Sequence, residues 1–329
     1  MHGESGRPTI VDVARLAGVS RSTASRALNG KDRVDERTRQ AIQAAAAQLD
    51  YRPNVRAQRL RSGRSHSVAL VTALPAQVVT EGFMLDLAIP IAQACLNREH
   101  SLMLVPPISS LDQLDGLDVD GAIVLDPGVD DELGDRFRSR GVTVVTFGHA
   151  LRTSGYVDRG FGGADVVFAH LAEQGARHVG VLLSAQPYSL TESIAEYLAS
   201  GQAPVPHTVF RASVSEGEDG GHAAALAALR ADPSIDAIYA PIDAFASGAV
   251  RAAHDLGLDV PRELMVVTNY DGRRATQSRP QLTALDLKFP QVGATLVDLL
   301  FAALESGAQR VEPAPAPTLV PRASTLRHP

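Results

Sequence analysis

Two short helical patterns joined by a tight turn, within residues 9–29, constrain the fold of this chain more than any other feature. Apolar residues recur at helical spacing on both sides of the turn, which predicts one helix over about 10–16 and a second over about 21–29. Gly18 stands in the turn, where a residue needs a positive φ. Two helices around so short a turn form a helix-turn-helix, a motif whose second helix enters the major groove of DNA.

Polar residues at the predicted helix starts support these boundaries. Thr9 and Asp12 have the spacing of a capping box, and Ser20 is a good N-cap for the second helix. A third helix is expected after Asp35, with an apolar inner stripe that closes a small three-helix core. This stripe comprises Ala41, Ile42, Ala45 and Leu49. The run ends before Pro53, because proline disfavours helix at the residue that precedes it.

The charge of the chain is divided unequally. Residues 1–65 hold thirteen Lys or Arg and six Asp or Glu, a net +7, whereas residues 66–329 hold eighteen and thirty-one, a net −13. A basic segment on an acidic body is typical of a protein that binds a polyanion through one end. On charge alone the basic residues could also be an ordinary solvated surface, so the motif has to decide.

The outer side of the predicted second helix carries hydrogen-bond donors that can reach base edges and phosphates. They are Arg21, Ser22, Ser25, Arg26 and Asn29. Motif and charge therefore agree on double-stranded DNA as the partner.

Composition excludes several other classes of protein. Cys95 is the single cysteine, which excludes an internal disulfide and a cysteine-based metal site. No apolar run reaches the roughly 18 residues of a membrane span, and no basic and apolar leader opens the chain. We expect a cytoplasmic, nucleoid-associated protein with no membrane partner.

From residue 66 onward, short apolar runs alternate with helical patterns, which predicts parallel sheets with right-handed crossovers. Strands are expected over about 67–73, 102–105, 121–125, 143–147, 155–157, 178–183, 208–210, 237–240 and 264–268. Helices are expected near 84–98, 131–140, 162–174, 190–200, 217–230, 244–257 and 290–305. So many units suit two subdomains better than one sheet.

The basic segment resembles the headpiece and hinge of the LacI–GalR repressor family. The resemblance lies in PTIVDVARLAGVSRSTASRALNG, VDERTRQAIQAAAAQLDYRPN and NVRAQRLRSG, and it covers residues 8–63 almost without a gap. It implies that Arg21 and Ser22 read bases and that Arg26 binds guanine or a phosphate. The residues that match backbone-anchoring or capping positions are Thr9, Ser20, Thr23, Ser25 and Asn29. Thr23 could equally be only a cap.

The resemblance continues through the hinge, where Asn54, Ala57 and Leu60 match the family's hinge helix. The resemblance implies that Leu60 wedges into the minor groove and kinks the DNA. Leu60 could also be an ordinary core leucine. It is surrounded by arginines and has no apolar stripe beside it, which favours the wedge.

Later fragments resemble the core of the same family, which is similar to periplasmic sugar-binding proteins. These fragments lie at 119–123, 170–179, 243–248, 270–272 and 280–283. The implied fold class is a small all-α helix-turn-helix headpiece plus an α/β core of two Rossmann-like lobes. The implied domains are a headpiece over 1–53, a hinge helix or linker over 54–65, and an effector-binding and dimerisation core over 66–329. The core's N-lobe is expected at about 66–160 and 289–312, and its C-lobe at about 161–285 and 315–325.

The implied function is that of a sequence-specific transcriptional regulator, usually a repressor in this family. It would bind a pseudo-palindromic operator as a homodimer and be released or retained by a small-molecule effector, such as a sugar or sugar derivative. Asp271 matches an effector-binding aspartate of the family. The other candidate lining residues are Phe83, Asp126, Phe147, Tyr188 and Asp243, each of which could instead be a core aromatic or a loop carboxylate. Ile242 replaces the family's usual Asn, and residues 187–192 lack its usual Arg, which argues against an ordinary sugar.

Three other functions compete with this one. An enzyme is disfavoured because the glycines of 160–163 lack the GxGxxG spacing and no P-loop, GxSxG or HExxH occurs; no cofactor and no metal are expected. A sugar-binding transport protein would share the core fold but lack a basic headpiece. An effector-independent DNA-binding or DNA-bending protein would have the same headpiece, and only ligand screening separates it from a regulator.

Overall fold

A computed structural model describes residues 8–28, 34–52, 63–75, 82–128, 130–149, 153 and 155–327. The chain divides into two compact units, residues 1–65 and residues 66–329. Among the described residues, no helix is long and apolar enough to cross a membrane. In the same part of the chain, no group of three or more His, Cys, Asp or Glu side chains could hold a metal ion.

The smaller unit is a three-helix core. Its helices are α1 (Ile10–Leu16), α2 (Arg21–Leu28) and α3 (Glu36–Gln48). Gly18 adopts φ +66° between α1 and α2, a conformation that is costly for residues with a Cβ. Val13, Ala24 and Ile42 are fully buried, one from each helix, and hold the helices around one core. The predicted helices and the positive φ of Gly18 are confirmed.

The inner stripe of α3 differs from the prediction at one position. Ala41 is exposed, so its assignment to the stripe is wrong, and Ala46 is buried in its place. Counting from Ile42, the positions three, four and seven residues on share one face of a helix, which selects Ala45, Ala46 and Leu49. Ala41 precedes that face by about 100°.

The larger unit alternates strands and helices. Its strands are β1 (Ser67–Thr72), β2 (Ser101–Leu104), β3 (Gly121–Leu125), β4 (Thr143–Phe147), β5 (Gly155–Asp158), β6 (Val179–Ser184), β7 (His207–Ala212), β8 (Ala237–Tyr239), β9 (Met265–Val267), β10 (Ala284–Asp286), β11 (Arg310–Pro313) and β12 (Thr318–Val320). Its α-helices are α4 (Phe83–Leu96), α5 (Glu132–Ser139), α6 (Ala164–Glu173), α7 (Ser189–Ala199), α8 (Gly217–Ala231), α9 (Asp243–Asp255), α10 (Arg273–Gln277) and α11 (Phe289–Ser306). Short 3₁₀ helices span Leu111–Leu114 and Val214–Glu216.

Two parallel sheets define two lobes. The N-lobe sheet has six strands in the order β11-β5-β4-β3-β1-β2, and the C-lobe sheet has four in the order β7-β6-β8-β9. All residues of β1, β3 and β6 are buried, as expected for parallel strands that carry helices on both faces. The antiparallel pair β10–β12 adjoins the C-lobe. The chain therefore passes between the lobes three times, after β5, after β10 and after β11.

Helix α11 covers the N-lobe sheet. It packs on α4, β3, β4 and β5. Its Leu296 and Leu300 share one buried cluster with Leu87 and Ile91 of α4. This packing closes one face of the lobe against solvent.

The predicted strands and helices of the larger unit are all present, with ends that differ by at most two residues. The fold class, an all-α headpiece with an α/β core of two lobes, is confirmed. Six short elements were not predicted: α10, β10, β11, β12 and the two 3₁₀ helices. Each has at most five residues, which is too few for a hydrophobic period to be visible.

Candidate functional site

The outer face of α2 presents the predicted base-reading side chains to solvent. Arg21, Ser22 and Arg26 are exposed and Ser25 is half-buried, while Ala24 and Ala27 of the same helix face the core. Two guanidinium groups on adjacent turns of one exposed helical face can reach bases and phosphates in a groove.

The hydroxyl groups at the start of α2 form a local network. The Thr23 backbone N–H donates to Ser20 Oγ at 3.1 Å, and Ser20 Oγ lies 2.8 Å from the hydroxyls of both Ser22 and Thr23. Ser20 is therefore an N-cap that satisfies a free helix donor. Thr23 has a local hydroxyl partner, which fits the capping interpretation. Its contact with DNA stays a prediction.

At the start of α1, the side chain of Asp12 in the first turn accepts hydrogen bonds from Thr9, which precedes the helix. The backbone N–H and the hydroxyl of Thr9 both donate to Asp12 Oδ2, at 2.9 Å and 2.7 Å. These two bonds lower the pKa of Asp12. The remaining four predicted DNA-binding residues, Asn29, Asn54, Ala57 and Leu60, lie outside the described residues, so their roles stay predictions.

A cavity of about 400 Å³ lies between the lobes of the core. It is lined at the carboxyl ends of the parallel strands, where open α/β sheets bind their ligands. Five of the six predicted effector residues line it: Phe83, Asp126, Phe147, Tyr188 and Asp243. The structure thus brings together side chains from α4, β3, β4, α7 and α9 that are far apart in sequence.

Asp271 is the exception, because it is not among the residues that line this cavity. Its Oδ1 lies 2.6 Å from Nη2 of Arg322, and both side chains are largely buried. The carboxylate therefore forms an ion pair with the guanidinium of Arg322. The role of Asp271 in effector binding stays a prediction.

Asp126 and Arg159 form a buried charge pair on the cavity wall. Their side chains are each 6% exposed, and Arg159 Nη2 lies 3.7 Å from Asp126 Oδ1. Asp126 Oδ1 accepts from the backbone N–H of Leu190 in the first turn of α7 at 2.9 Å. Burial raises the pKa of Asp126, and the guanidinium of Arg159 opposes that rise.

The bond from the Leu190 N–H to Asp126 links the C-lobe to the N-lobe, and a second polar contact between the lobes involves Tyr270. The phenol of Tyr270, which follows β9, donates to the Asp86 carboxylate on α4. Its ring also packs against Phe83 and Phe289, with ring centroids 5.6 Å and 5.7 Å away. Burial, followed by the contact with Asp86, raises the pKa of Tyr270. The phenol therefore keeps its proton and stays a donor.

Most of the lining residues were not predicted from the sequence, among them Arg159, Tyr270 and a proline-rich stretch. Arg159 follows β5 directly, where the chain first passes from the N-lobe to the C-lobe. Tyr270 precedes the predicted Asp271 by one residue. The third crossover lines the cavity with the proline-rich stretch 313–317. The available signal was their position, at a strand end or between lobes, and no side-chain motif marked them.

Two family models match the chain. "Bacterial regulatory proteins, lacI family" matches residues 9–54, and "Periplasmic binding protein-like domain" matches residues 168–325. The HTH-type transcriptional regulator CelR of Thermobifida fusca is 30% identical over 313 residues, which cover 89% of this chain and 91% of that protein. The match therefore extends through headpiece and core alike.

Two solved structures share the architecture. A structure of the transcriptional regulator CelR–cellobiose complex is 28% identical, with a TM-score of 0.69 over 97% of this chain and 100% of that one. A lac repressor dimer bound to operator and the anti-inducer ONPF has a TM-score of 0.76 over 98% of this chain and 100% of that one, at 22% identity. The second likeness shows the fold alone.

Proposed function

This chain belongs to the lacI family of bacterial regulatory proteins and is a transcriptional regulator, and we propose that it is a repressor. It binds a pseudo-palindromic operator as a homodimer, and a small-molecule effector controls that binding. The headpiece binds DNA, and the cavity between the lobes binds the effector. Under this proposal the protein has no catalytic role, and it acts on the bacterial nucleoid.

The exposed face of α2 supports the DNA-binding half of the proposal. Arg21, Ser22 and Arg26 project from a helix that three-helix packing holds rigid. One headpiece offers few base contacts, and specific binding in the nanomolar range needs two half-sites. A two-fold operator is therefore the expected target.

An apolar surface on α4 supports the homodimer. Leu85, Ile89 and Leu96 are 54%, 71% and 66% exposed, although each is a large hydrophobic residue. Leu104 on the edge strand β2 is 43% exposed. Large exposed apolar residues that share one face of a helix favour association with a second copy.

The cavity is the observation that favours a regulator with an effector over an effector-independent DNA-bending protein. It lies between two lobes that the chain connects three times, and its volume is within the roughly 300–1,000 Å³ range of small-molecule sites. A ligand that contacts both lobes stabilises the conformation in which they are correctly spaced. The effector can thereby change the geometry of the dimer.

Selection of bound fragments from a random DNA pool tests the DNA-binding half. The expected product is a pseudo-palindrome that the dimer binds at least about a thousandfold more tightly than random DNA. Cellobiose, the ligand named for the CelR complex, is the first probe for release from that operator. A monomer that saturates a single half-site with full affinity, or a pool without a two-fold consensus, contradicts the proposal.

A further inference from the structure

Arg159 is a buried charge on the cavity wall with incomplete hydrogen bonding. Its side chain is 6% exposed, and its guanidinium lies 3.7 Å from the ring centroid of Phe147. Nη2 donates to the Phe147 carbonyl at 3.3 Å. Nε is buried and has no hydrogen-bond partner among the described residues. A guanidinium has five N–H donors and cannot lose its charge, so such a site is costly unless an acceptor arrives.

Asp126 does not complete the coordination of this guanidinium. The 3.7 Å between Nη2 and Oδ1 is beyond hydrogen-bond distance, and that oxygen already accepts from the Leu190 N–H. Burial also raises the pKa of Asp126, which weakens its tendency to carry the compensating charge. The pair is a loose ion pair, and Asp126 does not supply the hydrogen-bond acceptor that the guanidinium lacks.

The other carboxylates of the lining lie in the first turn of a helix or accept from a backbone N–H. Asp243 Oδ1 accepts from the Ala244 N–H in the first turn of α9 at 2.8 Å, and Asp165 lies in the first turn of α6. Both positions favour a carboxylate, because the free N–H groups of a helix start carry a partial positive charge. Asp158, which is exposed, accepts from the Gly160 N–H at 2.9 Å. The acidic lining therefore has a structural explanation, whereas the unsatisfied guanidinium does not.

The rest of the wall is largely apolar. Five of the chain's fifteen Phe and Tyr residues line this one cavity. These are Phe83, Phe147, Phe161, Tyr188 and Tyr270. Prolines of the stretch 313–317 close another side. Such a wall accommodates a flat or ring-shaped body whose faces are apolar.

We propose that the effector of this regulator is a small organic carboxylate, whose anionic group binds Arg159 and whose ring lies against the aromatic and proline residues of the wall. A carboxylate matches the planar fork of a guanidinium and forms two parallel hydrogen bonds with it. This inference rests on the proposed function, in which the cavity holds the effector.

Matched acid and neutral probes test the inference on the full chain. Benzoate is compared with benzamide, and glucuronate with glucose, by calorimetric titration and by thermal shift at millimolar concentration. We expect at least one acid to bind at least tenfold more tightly than its neutral partner. The pair that responds distinguishes an aromatic acid from a sugar acid. In Arg159→Met the preference for the acid should disappear.

A second variant keeps the test decisive if Arg159→Met does not fold. Asp126→Asn retains an oxygen that can accept from the Leu190 N–H, but it removes the carboxylate that competes for Arg159. We expect it to bind the acid severalfold more tightly than the wild-type chain. If the pair were only structural, this substitution would leave acid binding unchanged or weaker.

Operator binding, measured in the same preparations, distinguishes a failure of the proposed function from a failure of the carboxylate inference. A chain that binds no operator contradicts the proposed function. A chain that binds its operator, but prefers the neutral probes or binds neither acid, overturns the carboxylate inference and leaves the regulator intact. Unchanged or weaker acid binding by Asp126→Asn overturns it as well.

Discussion

The Tyr270 phenol donates to the Asp86 carboxylate. Tyr270 lies three residues after β9 of the C-lobe sheet and Asp86 lies in α4 of the N-lobe, so this bond connects the two lobes. Tyr270 also lines the cavity. Leu85 and Ile89, one residue before and three residues after Asp86 in the sequence, belong to the exposed apolar face of α4. One helix thus contacts the cleft wall on one side and presents the proposed dimer surface on another.

Tyr270→Phe tests this connection between the lobes. The ring remains, but the donor to Asp86 is lost, so we expect the free energy of unfolding of the core to fall by about 1 kcal/mol. Lobe opening should increase, which small-angle scattering measures as a larger radius of gyration. Tyr156→Phe on β5 is the control for loss of a phenol elsewhere. Equal effects of the two substitutions would show that the contact with Asp86 contributes nothing.

Arg26→Ala tests the recognition face of α2. We expect specific operator binding to weaken by about 1–3 kcal/mol, with relaxed preference at one base pair in each half-site. Arg15→Ala removes an exposed arginine from α1 and serves as the control, since Arg15 already pairs with Asp12. Titrations on operator and on random DNA measure both effects. If Arg26→Ala weakens both DNAs equally, Arg26 contacts only phosphate.

Ser20→Ala tests the cap of α2. Without Oγ the Thr23 N–H loses its acceptor, and we expect headpiece stability to fall by about 0.5–2 kcal/mol. Ser20→Gly should cost only a few tenths of a kcal/mol, because glycine is tolerated at an N-cap. Thermal melts followed by circular dichroism compare the two variants. A larger loss in the glycine variant would assign the effect to backbone entropy.

Ile89→Glu tests the dimer surface on α4. A carboxylate buried in an apolar interface costs more than 1.4 kcal/mol, so the dimer dissociation constant should rise at least about tenfold. Sedimentation equilibrium measures the shift, and operator binding should weaken with it. Val311→Glu introduces the same charge on β11, at the opposite edge of the N-lobe sheet from β2. A dimer that survives Ile89→Glu places the interface elsewhere.

His170 gives the core a predictable pH dependence. Its ring nitrogen Nε2 lies 2.8 Å from Thr325 Oγ1, and burial lowers its pKa from 6.5, an effect that Glu173 opposes. Below pH 6.5 the unfolded chain binds a proton that the folded chain still excludes. The free energy of unfolding should therefore fall as the pH drops from 6.5 towards the lowered pKa, and level off below it.

Urea titrations between pH 5 and 8 measure this slope. His170→Gln should remove it, whereas His254→Gln, at a position 90% exposed, should leave it in place. A slope that persists in His170→Gln would assign the effect to another group.

The headpiece could be predicted almost completely because its signals are local. Caps, turn glycine and apolar spacing lie within a few residues of one another, and the single error, Ala41, is one step around a helix. The cavity required long-range information. Phe147 ends a predicted strand and Asp126 follows one, and the carboxyl ends of parallel strands converge at one edge of a sheet.

Arg159 and Asp271 show what the sequence does not contain. Whether a crossover residue faces the cleft depends on how two lobes meet, and nothing near Arg159 in sequence records that. Asp271 has the sequence position of a ligand-binding carboxylate, but in the folded chain it forms an ion pair with Arg322, which is 51 residues further along the sequence. A competitor so distant in sequence leaves no local pattern.

The covering of α4 by α11 has a consequence for the order of events during synthesis. The headpiece leaves the ribosome before the core does, and it has its own buried cluster, so it can fold before the core is complete. The inner side of α4, with Leu87 and Ile91, must wait for Leu296 and Leu300, and the N-lobe sheet must wait for β11 at 310–313. Each nascent chain therefore has a folded headpiece before α11 is available to pack against α4, which carries the proposed dimer surface. With the dimer surface on α4 as proposed, we expect dimers to form only after α11 has been synthesised, and a chain that ends before α11 to bind DNA through its headpiece but not to bind an operator as a dimer.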